Sequence, residues 1–360
     1  MHASPRFDGR VFRNTNNAKA GLKPGTVVPT MKEYLCGGER RVPNAPLPLT
    51  DPRSAWKAKP ETGLRVTWLG HSTLLFEVDG ARILSDPVWA QRASPLPFAG
   101  PKRFHAPPVL LSALPELDAV LISHDHYDHL DRAAIRTLAK RPALRFITSL
   151  GVGTHLEAWG VPPERITELD WWESATLEMS GVVITAAPSQ HFSGRTLLDR
   201  NATAWSAFHL QGSVHRVFHG ADTGLTPDYH EIRQTFGTFD LVLLEIGAWN
   251  AAWGDIHLGP EHALEAHAML GSGRLLPIHW GTFNLAMHAW DQPIETLTTL
   301  APSRGIDLLT PILGQPVEPS RVDGITPWWR SVVAEERAAD KTPVPTETSS
   351  DLSAVSWPVD

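Results

Sequence analysis

Three histidines and one aspartate stand close together in the run Ser-His-Asp-His-Tyr-Asp-His-Leu, as His124, His126, Asp128 and His129. Imidazole nitrogen and carboxylate oxygen are the ligands that zinc prefers when no thiolate is available. Four such donors exceed what one tetrahedral ion with an open coordination position takes. The spacing therefore indicates two neighbouring metal ions that share this run.

The segments on either side of the run indicate how it is positioned. Residues 117–123, LDAVLIS, form an apolar stretch closed by a polar residue, which is typical of a buried strand. Residues 131–140 fit a helix that begins with Asp131, a residue type favoured at helix N-termini. We therefore expect the four donors in the bend between a strand and a helix.

Three further donors, His191, Asp222 and His279, each stand at or just after the end of a predicted strand. Those strands cover 182–187, 214–219 and 275–279. Loops collect at the ends of strands, and sites are usually built there. With the first four residues they make seven donors, a number that fits two metals bridged by one carboxylate.

The rest of the chain alternates between strand and helix signals. Strands are predicted at 64–69, 73–78, 81–85, 118–123, 144–148, 165–169, 174–179, 181–187, 203–210, 214–219, 239–245, 274–279 and 315–317. Helices are predicted at 131–140, 151–159, 227–236, 260–270 and 293–300. Asp79-Gly80 is a strong hairpin signal. An α/β fold of two sheets with helices on their outer faces fits this order better than one doubly wound sheet.

The ends of the chain differ in composition from its centre. Residues 1–60 carry many Pro, Gly and Asn residues without clear periodicity, so we expect an extended, partly ordered arm on a catalytic domain that spans 61–320. A short helix is expected at 321–337 and a disordered tail at 338–360. The Pro-rich segment 86–108 is long enough to be a functional loop or a lid.

Composition excludes several classes of protein. The net charge of −7 over 360 residues argues against a general nucleic-acid binder. The single cysteine, Cys36, excludes an internal disulfide and is expected to be a free, partly buried thiol. No signal peptide and no apolar run of about 18 residues is found, so we expect a cytoplasmic protein, with peripheral membrane contact left open.

Six stretches of the chain resemble a known family. They are WLGHST (68–73), SDPVW (85–89), GPKRFHAPP (100–108), HDHYDHLD (124–131), DTG (222–224) and IHWGTF (278–283). Together they resemble the N-acylphosphatidylethanolamine-hydrolysing phospholipase D family of the metallo-β-lactamase fold superfamily. The resemblance implies a four-layer αβ/βα sandwich of two mixed sheets. Residues 248–258 and the N-terminal arm depart from the family pattern, and both could touch substrate.

The resemblance also implies roles for individual residues. One Zn²⁺ would be held by His124, His126 and His191, and the other by Asp128, His129 and His279, with Asp222 bridging; Mn²⁺ or Fe²⁺ stay open as alternatives. Asp86 would steady these ligands from behind. Apart from the resemblance, His71 lies in a predicted turn beside the site and would either support the ligands or serve only as a turn residue. A hydroxide shared by the two ions would be the nucleophile. Asp128 and Asp222 would thus be catalytic, and Tyr127 and His257 would contact the phosphate or donate a proton.

The function expected from these residues is hydrolysis of a phosphodiester, of the phospholipase D type, on N-acylated phosphatidylethanolamine or a related phospholipid. Arg92, Lys102 and Arg103 are candidates to meet an anionic head group. Trp89, Phe98 and Phe104 would either form a lipid-facing trough or pack internally. The alternatives are a lactonase, amidase or thioesterase acting on a small soluble substrate, and a non-catalytic metal-stabilised scaffold. No nucleic-acid partner is expected, and a homodimer is left open.

Overall fold

The computed structural model describes residues 3–341 except 17, 19, 20, 22, 197 and 272. Its strands are β1 (Leu64–Gly70), β2 (Thr73–Val78), β3 (Ala81–Ser85), β4 (Ala119–Ile122), β5 (Arg145–Ser149), β6 (Ile166–Leu169), β7 (Ser174–Thr176), β8 (Val183–Ala187), β9 (Ala207–Gln211), β10 (Arg216–His219), β11 (Leu241–Glu245), β12 (Arg274–Ile278) and β13 (Pro316–Val317). Its α-helices are α1 (Val27–Cys36), α2 (Arg132–Leu138), α3 (Gly153–Ala158), α4 (Asp228–Phe236), α5 (Gly259–Leu270), α6 (Gln292–Leu300) and α7 (Trp328–Lys341).

The first sheet has the strand order β13-β1-β2-β3-β4-β5-β6. Strands β1 to β3 form an antiparallel meander, and β3 to β6 run parallel to one another. The turn between β2 and β3 is made by Asp79 and Gly80, both with positive φ (44° and 95°), as the primed hairpin turns require. The hairpin predicted at this dipeptide is confirmed.

The second sheet has the order β12-β11-β10-β9-β8-β7. Strands β10, β11 and β12 are parallel, whereas β7 to β10 pair antiparallel. The parallel strands are apolar runs buried on both faces, such as LVLLE in β11. Both sheets are therefore mixed, as the fold prediction states.

Two apolar clusters show how the layers stack. The larger cluster joins side chains of β1 and β2 to side chains of β8–β12 and of helices α4, α5 and α6. The smaller lies on the other face of the first sheet, under α2 and α3. Helices thus cover the outer face of each sheet, which confirms the predicted four-layer αβ/βα sandwich.

The start of helix α2 sets the end of the segment that carries the four donors His124, His126, Asp128 and His129. Asp131 caps the helix, because its Oδ1 accepts hydrogen bonds from the backbone N–H groups of Ala133 (2.8 Å) and Ala134 (3.3 Å). A cap of this kind stabilises a helix by about 1 kcal/mol. Strand β4 ends at Ile122, so the donors occupy the irregular segment between the strand and the cap.

The ends of the chain differ from the sequence prediction at three points. Helix α1 lies within the arm that was predicted to lack regular structure, and Cys36 at its end is exposed rather than partly buried. The C-terminal helix begins at Trp328 and continues to Lys341, past the predicted end at 337, because Ala, Glu and Arg favour helix. The tail beyond 341 lies outside the described residues.

In the described part of the chain, no helix combines the length and the apolar character that crossing a bilayer requires.

Candidate metal centre

The seven donors predicted from the sequence meet where loops of both sheets converge. The run that follows β4 supplies His124, His126, Asp128 and His129 from the first sheet. The loops after β8, β10 and β12 supply His191, Asp222 and His279 from the second sheet. Their ligand atoms fall into groups in which all atoms lie within 4.8 Å of one another. The site therefore exists only when the two sheets are packed together.

His124, His126 and His191 form what we call the first donor set. The Nδ1 atom of His126 lies 2.8 Å from Nε2 of His124 and 3.3 Å from Nε2 of His191. Asp222 closes this set with its Oδ2 atom, 3.6 Å from Nε2 of His191 and 4.0 Å from Nε2 of His124. Three imidazoles and one carboxylate oxygen thus surround one point.

Asp128, His129 and His279 form the second donor set. Oδ2 of Asp128 lies 3.6 Å from Nε2 of His129 and 3.4 Å from Nε2 of His279. The Oδ1 atom of Asp222 lies 3.1 Å and 3.2 Å from the same two nitrogens. The two oxygens of one carboxylate therefore face different donor sets, which is the geometry of a bridging ligand.

The donors fit a pair of divalent cations. Ligand atoms about 2.0–2.1 Å from a tetrahedral zinc are roughly 3.3 Å apart, and most of the measured separations lie close to that value. Among the described residues, Nε2 of His129, Nε2 of His279 and Oδ1 of Asp222 are buried without a hydrogen-bond partner. Buried polar atoms are rarely left without a partner, so these three atoms fit the role of metal ligands.

Electrostatics also favours a cation, most strongly in the second donor set. Burial opposes ionisation of Asp222 and Asp128, but the facing imidazoles, His129 above all, hold the pKa of both carboxyls well below their usual range. Burial likewise opposes a charge on His279, yet Asp222, Asp128 and Glu245 raise its pKa to about 10. Carboxylates that draw a proton onto these rings would equally attract a metal ion.

The first donor set has the opposite tendency. Burial holds the pKa of His124 and His191 well below the usual histidine range, and it also lowers the pKa of His126. Neutral imidazole is the form that binds metals. The Nδ1–H group of His191 can donate to the carbonyl oxygen of Ile256 (2.9 Å), which leaves the Nε2 lone pair facing the centre.

Asp86 supports one ligand of each set. Its Oδ2 accepts from Nδ1 of His129 (2.9 Å) and from the hydroxyl of Ser123 (2.8 Å). That hydroxyl in turn lies 2.9 Å from Nδ1 of His124. Partners of this kind fix the tautomer and the orientation of metal-binding histidines. Asp86 therefore lies directly behind one donor of each set.

His71 contacts the second donor set alone. Its Nε2 lies 2.9 Å from Oδ2 of Asp128, and its ring centre is 3.8 Å from that of His279. His71, Asp86 and His279 all have positive φ (55°, 37° and 65°), a conformation rare outside glycine. Such strain concentrates at functional sites, where the surrounding structure maintains it.

Glu245, the last residue of β11, is a site residue that the sequence analysis missed. It is fully buried, and its Oε2 accepts from Nδ1 of His257 (2.6 Å) while Oε1 accepts from the N–H of Thr223 (2.7 Å). Burial opposes a charge on His257, but the Glu245 carboxylate raises its pKa. The only sequence signal was a lone acid that closes an apolar strand. The His257 ring centre is 5.0 Å from that of His191 and 5.5 Å from that of His279.

Tyr127 lines a cavity of about 600 Å³. Four arginines line this cavity with it: Arg92, Arg132, Arg136 and Arg195. The guanidinium carbon of Arg195, which the sequence analysis did not single out, is 3.9 Å from the centre of the Tyr127 ring. Tyr127 and His257 were predicted to contact the phosphate or to donate a proton, and the structure gives them different neighbours.

The other predicted substrate contacts are not brought to the donors. Lys102 is exposed, and Arg103 is buried, with its guanidinium hydrogen-bonded to the carbonyl of Val88 and 5.1 Å from the Phe283 ring centre. For the aromatic residues of this loop the sequence left a lipid-facing trough and internal packing open, and Trp89 and Phe104 are packed internally. The Trp89 indole donates to the carbonyl of Val109, Phe104 packs on the main core, and Phe98 is 76% exposed.

Comparison with known proteins agrees with the fold. A family model described as a beta-lactamase superfamily domain matches residues 81–280. An N-acyl-phosphatidylethanolamine-hydrolyzing phospholipase D of Caenorhabditis elegans is 35% identical over 78% of this chain and 83% of its own length. An uncharacterized protein of Mycobacterium tuberculosis is 47% identical over 80% of this chain and 77% of its own length.

A solved structure shows the same fold at low sequence identity. The isothiocyanate hydrolase from Delia radicum gut bacteria superposes with a TM-score of 0.56 at 22% identity, covering 71% of this chain and 98% of that one. The chain therefore belongs to the metallo-β-lactamase superfamily, within a family of metal-dependent hydrolases that has N-acyl-phosphatidylethanolamine-hydrolysing phospholipases D among its members.

Proposed function

We propose that this protein is a dinuclear zinc hydrolase that cleaves phosphodiesters in the manner of a phospholipase D. The observation that carries the proposal is the position of Asp222, whose two oxygens face two separate donor sets. The C. elegans relative, an N-acyl-phosphatidylethanolamine-hydrolyzing phospholipase D, supports the substrate class. The proposed substrate is N-acylated phosphatidylethanolamine or a related phospholipid.

In this proposal His124, His126 and His191 hold one ion, Asp128, His129 and His279 hold the other, and Asp222 bridges them. Imidazole-rich sites suit zinc, and Mn²⁺ or Fe²⁺ are the alternatives. When bound, such ions would supply Lewis acidity, which would withdraw charge from the phosphoryl oxygens and lower the pKa of an adjacent water from 15.7 to around 7. Asp86 and His71 keep the donors in place throughout.

The pair of His257 and Glu245 is the proposed source of the leaving-group proton. Glu245 accepts from Nδ1 of His257, so a second proton on that ring sits on Nε2, and the raised pKa of the ring favours that form. The attacking water gives up one proton to solvent, and its oxygen forms a bond to phosphorus as the bond between phosphorus and the head-group oxygen breaks. His257 gives its proton to the departing alkoxide, which leaves as an alcohol, and the other product is phosphatidic acid.

The arginine-lined cavity supports an anionic substrate. Among the described residues that line it, Asp131 is the one acidic residue, and its oxygens already accept from four backbone N–H groups, those of Trp89, Ala90, Ala133 and Ala134. The guanidinium groups of Arg92, Arg132, Arg136 and Arg195 therefore outnumber the carboxylates there. Such a cavity attracts phosphate or carboxylate groups.

Exposed apolar side chains support a peripheral contact with a lipid surface. Leu96 and Phe98 project from the long loop 86–108, and Val28 and Met31 project from α1, each at least 46% exposed. Helix α1 contacts the loop that carries His257. Nδ2 of Asn250 in that loop lies 3.4 Å from Oε1 of Glu33 in the helix. A lipid substrate could then enter the site without leaving the membrane.

The direct test uses protein refilled with zinc and vesicles that contain N-acylated phosphatidylethanolamine. We expect phosphatidic acid and N-acylethanolamine to appear in equal amounts, with two zinc ions per chain by elemental analysis. The matched control is Asp222→Asn, which removes the bridging charge at constant size. Fully loaded protein that turns over no phosphodiester would contradict the phospholipase assignment.

The second candidate is a lactonase, amidase or thioesterase acting on a small soluble substrate. It is favoured by one observation: the cavity beside Tyr127 is lined by charged groups, and Trp89, Phe98 and Phe104 form no apolar trough. A panel of anionic lactones, amides and thioesters, assayed with the same zinc-loaded protein, separates the two candidates. Turnover of a member of that panel, with none of the phospholipid, would favour this second function.

A further inference from the structure

The N-terminal arm reaches into the metal centre through Asn14. The side-chain amide of Asn14 pairs with the backbone of His191: its Nδ2 donates to the His191 carbonyl (2.8 Å), and its Oδ1 accepts from the His191 N–H (3.1 Å). His191 is fully buried and lies in an irregular segment after β8, where no neighbouring strand pairs with it. Asn14 therefore supplies both hydrogen bonds that a neighbouring strand would give.

The arm also binds the loop that holds the ring of His191. The N–H of Lys23 donates to the Ala252 carbonyl (2.8 Å), and the N–H of Gly254 donates to the Gly21 carbonyl (2.7 Å). Nζ of Lys23 lies 3.2 Å from Oδ1 of Asp255. The next residue, Ile256, provides the carbonyl that accepts from Nδ1 of His191 (2.9 Å).

Two routes thus connect the arm to one metal donor. Asn14 holds the backbone of His191 directly, and the contacts around Lys23 hold the loop that fixes the orientation of its imidazole. Asn16 adds a third contact, since its Nδ2 donates to Oε1 of Gln190, whose Nε2 donates to the Asp255 carbonyl. The other two imidazoles of the first donor set lie on the run after β4, and none of these arm contacts reaches it.

We propose that Asn14 is a positioning residue of the metal centre, and that the arm is part of the active site rather than a peripheral extension of the domain. The inference rests on the proposed metal site, because it assigns Asn14 to one of the proposed ligands. Loss of the amide leaves a buried N–H and a buried C=O without partners, so the His191 segment must shift to reach water. The first donor set would then lose its geometry while the second keeps it.

The test is a graded series of substitutions in the full-length protein. Asn14→Asp keeps the oxygen that accepts from the His191 N–H but loses the donor to the carbonyl, and Asn14→Ala loses both. The matched control is Asn44→Ala, which changes an exposed asparagine of the same arm. Each protein, freed of metal, is titrated with Co²⁺ and with Zn²⁺ in competition with a chromophoric chelator.

We expect Asn14→Ala to weaken one of the two binding events about 10- to 100-fold, the range found for residues that support metal ligands, and to leave the other unchanged. Asn14→Asp should fall between Asn14→Ala and the wild type. Hydrogen exchange of the metal-free protein should become faster at the His191 amide. Asn44→Ala should match the wild type in all three measurements.

Two binding events of wild-type strength in Asn14→Ala, with unchanged exchange at His191, would overturn the inference. Weakening of both events to the same extent would also overturn it, because a general loss of structure rather than a local role would explain the result. If Asn14→Ala does not fold, Asn14→Asp decides by the same criteria. Wild-type protein that binds less than one ion would instead reject the proposed metal site itself.

Discussion

The two donor sets share Asp222 but are supported by different kinds of groups. Behind the first set stand neutral partners: the Ile256 carbonyl against His191 and the Ser123 hydroxyl against His124. Behind the second set stand carboxylates. Asp86 contacts His129 directly, and Glu245 lies 3.6 Å from Nδ1 of His279.

The sets also differ in the charge they present to an ion. The first contributes three imidazoles, whose pKa values burial lowers, whereas the second includes the Asp128 carboxylate and two rings whose pKa values the surrounding carboxylates raise. A cation in the second set is therefore surrounded by more negative charge. From this difference we expect the second set to bind its ion more tightly, and the first set to depend more on the loops and the arm that hold it.

Asp222→Asn should have the largest effect, because it removes charge from both sets at once. We expect the protein to lose most of its metal and its activity to fall by about 10³-fold or more, since metal ions contribute several kcal/mol and each tenfold in rate is about 1.4 kcal/mol. Elemental analysis and turnover of the same sample measure both quantities. Asp323→Asn, at an exposed position, is the control. A variant that kept two ions per chain would show that Asp222 does not bridge the sets.

His257 lies beside His191 of the first set and His279 of the second. The substitution His257→Asn should lower the rate without changing the metal content. As a proton donor, His257 is expected to contribute about 10²-fold or more to kcat. Glu245→Gln should give a smaller decrease in the same direction, because the ring remains but loses the charge that raises its pKa. Steady-state kinetics with metal analysis separates the two effects. Loss of an ion in His257→Asn would mean that this ring is a ligand rather than a proton donor.

Asp86→Ala and Ser123→Ala should separate the supports of the two sets. Asp86 holds His129 directly and His124 through Ser123, so its loss is expected to weaken both binding events by about 10- to 100-fold. Ser123→Ala breaks only the branch to His124 and should weaken only the first set. Competition with a chelator of known affinity measures each event. Equal weakening of both events in Ser123→Ala would remove the distinction drawn between the sets.

The fold and the seven donors could be predicted because their signals are local. Apolar runs marked the strands, and each donor stood where a run ended, so convergence at one edge followed from the architecture. Asp79-Gly80 and Asp131 acted through their immediate neighbours in the chain. Such features do not depend on distant residues.

The features that were missed depend on distant residues or on ambiguous signals. Asn14 pairs with His191 across 177 residues, and no pattern near either residue indicates the contact. In the sequence, Glu245 is recognisable only as the end of a strand. Its contact with His257 becomes visible only in the folded structure. Helix α1 begins VVP in an arm whose many Pro, Gly and Asn residues favoured an extended structure, although the first turn of a helix tolerates proline. Arg103 looked exposed in a Pro-rich loop, but it packs on Phe283.

The smallest expected effect is the difference in metal affinity between the two donor sets of the wild-type protein, which stepwise removal of metal measures. A chelator of graded strength is expected to take one ion before the other, with affinities about tenfold apart, equivalent to about 1.4 kcal/mol. His191→Ala identifies the first ion to leave, because it removes a donor only from the first set. If the comparison is correct, this variant retains one ion with the affinity of the tighter wild-type site. If the variant retained only the weaker ion, the first set would be the tighter site. The carboxylates behind His129 and His279 would then position those rings without tightening the binding of the ion.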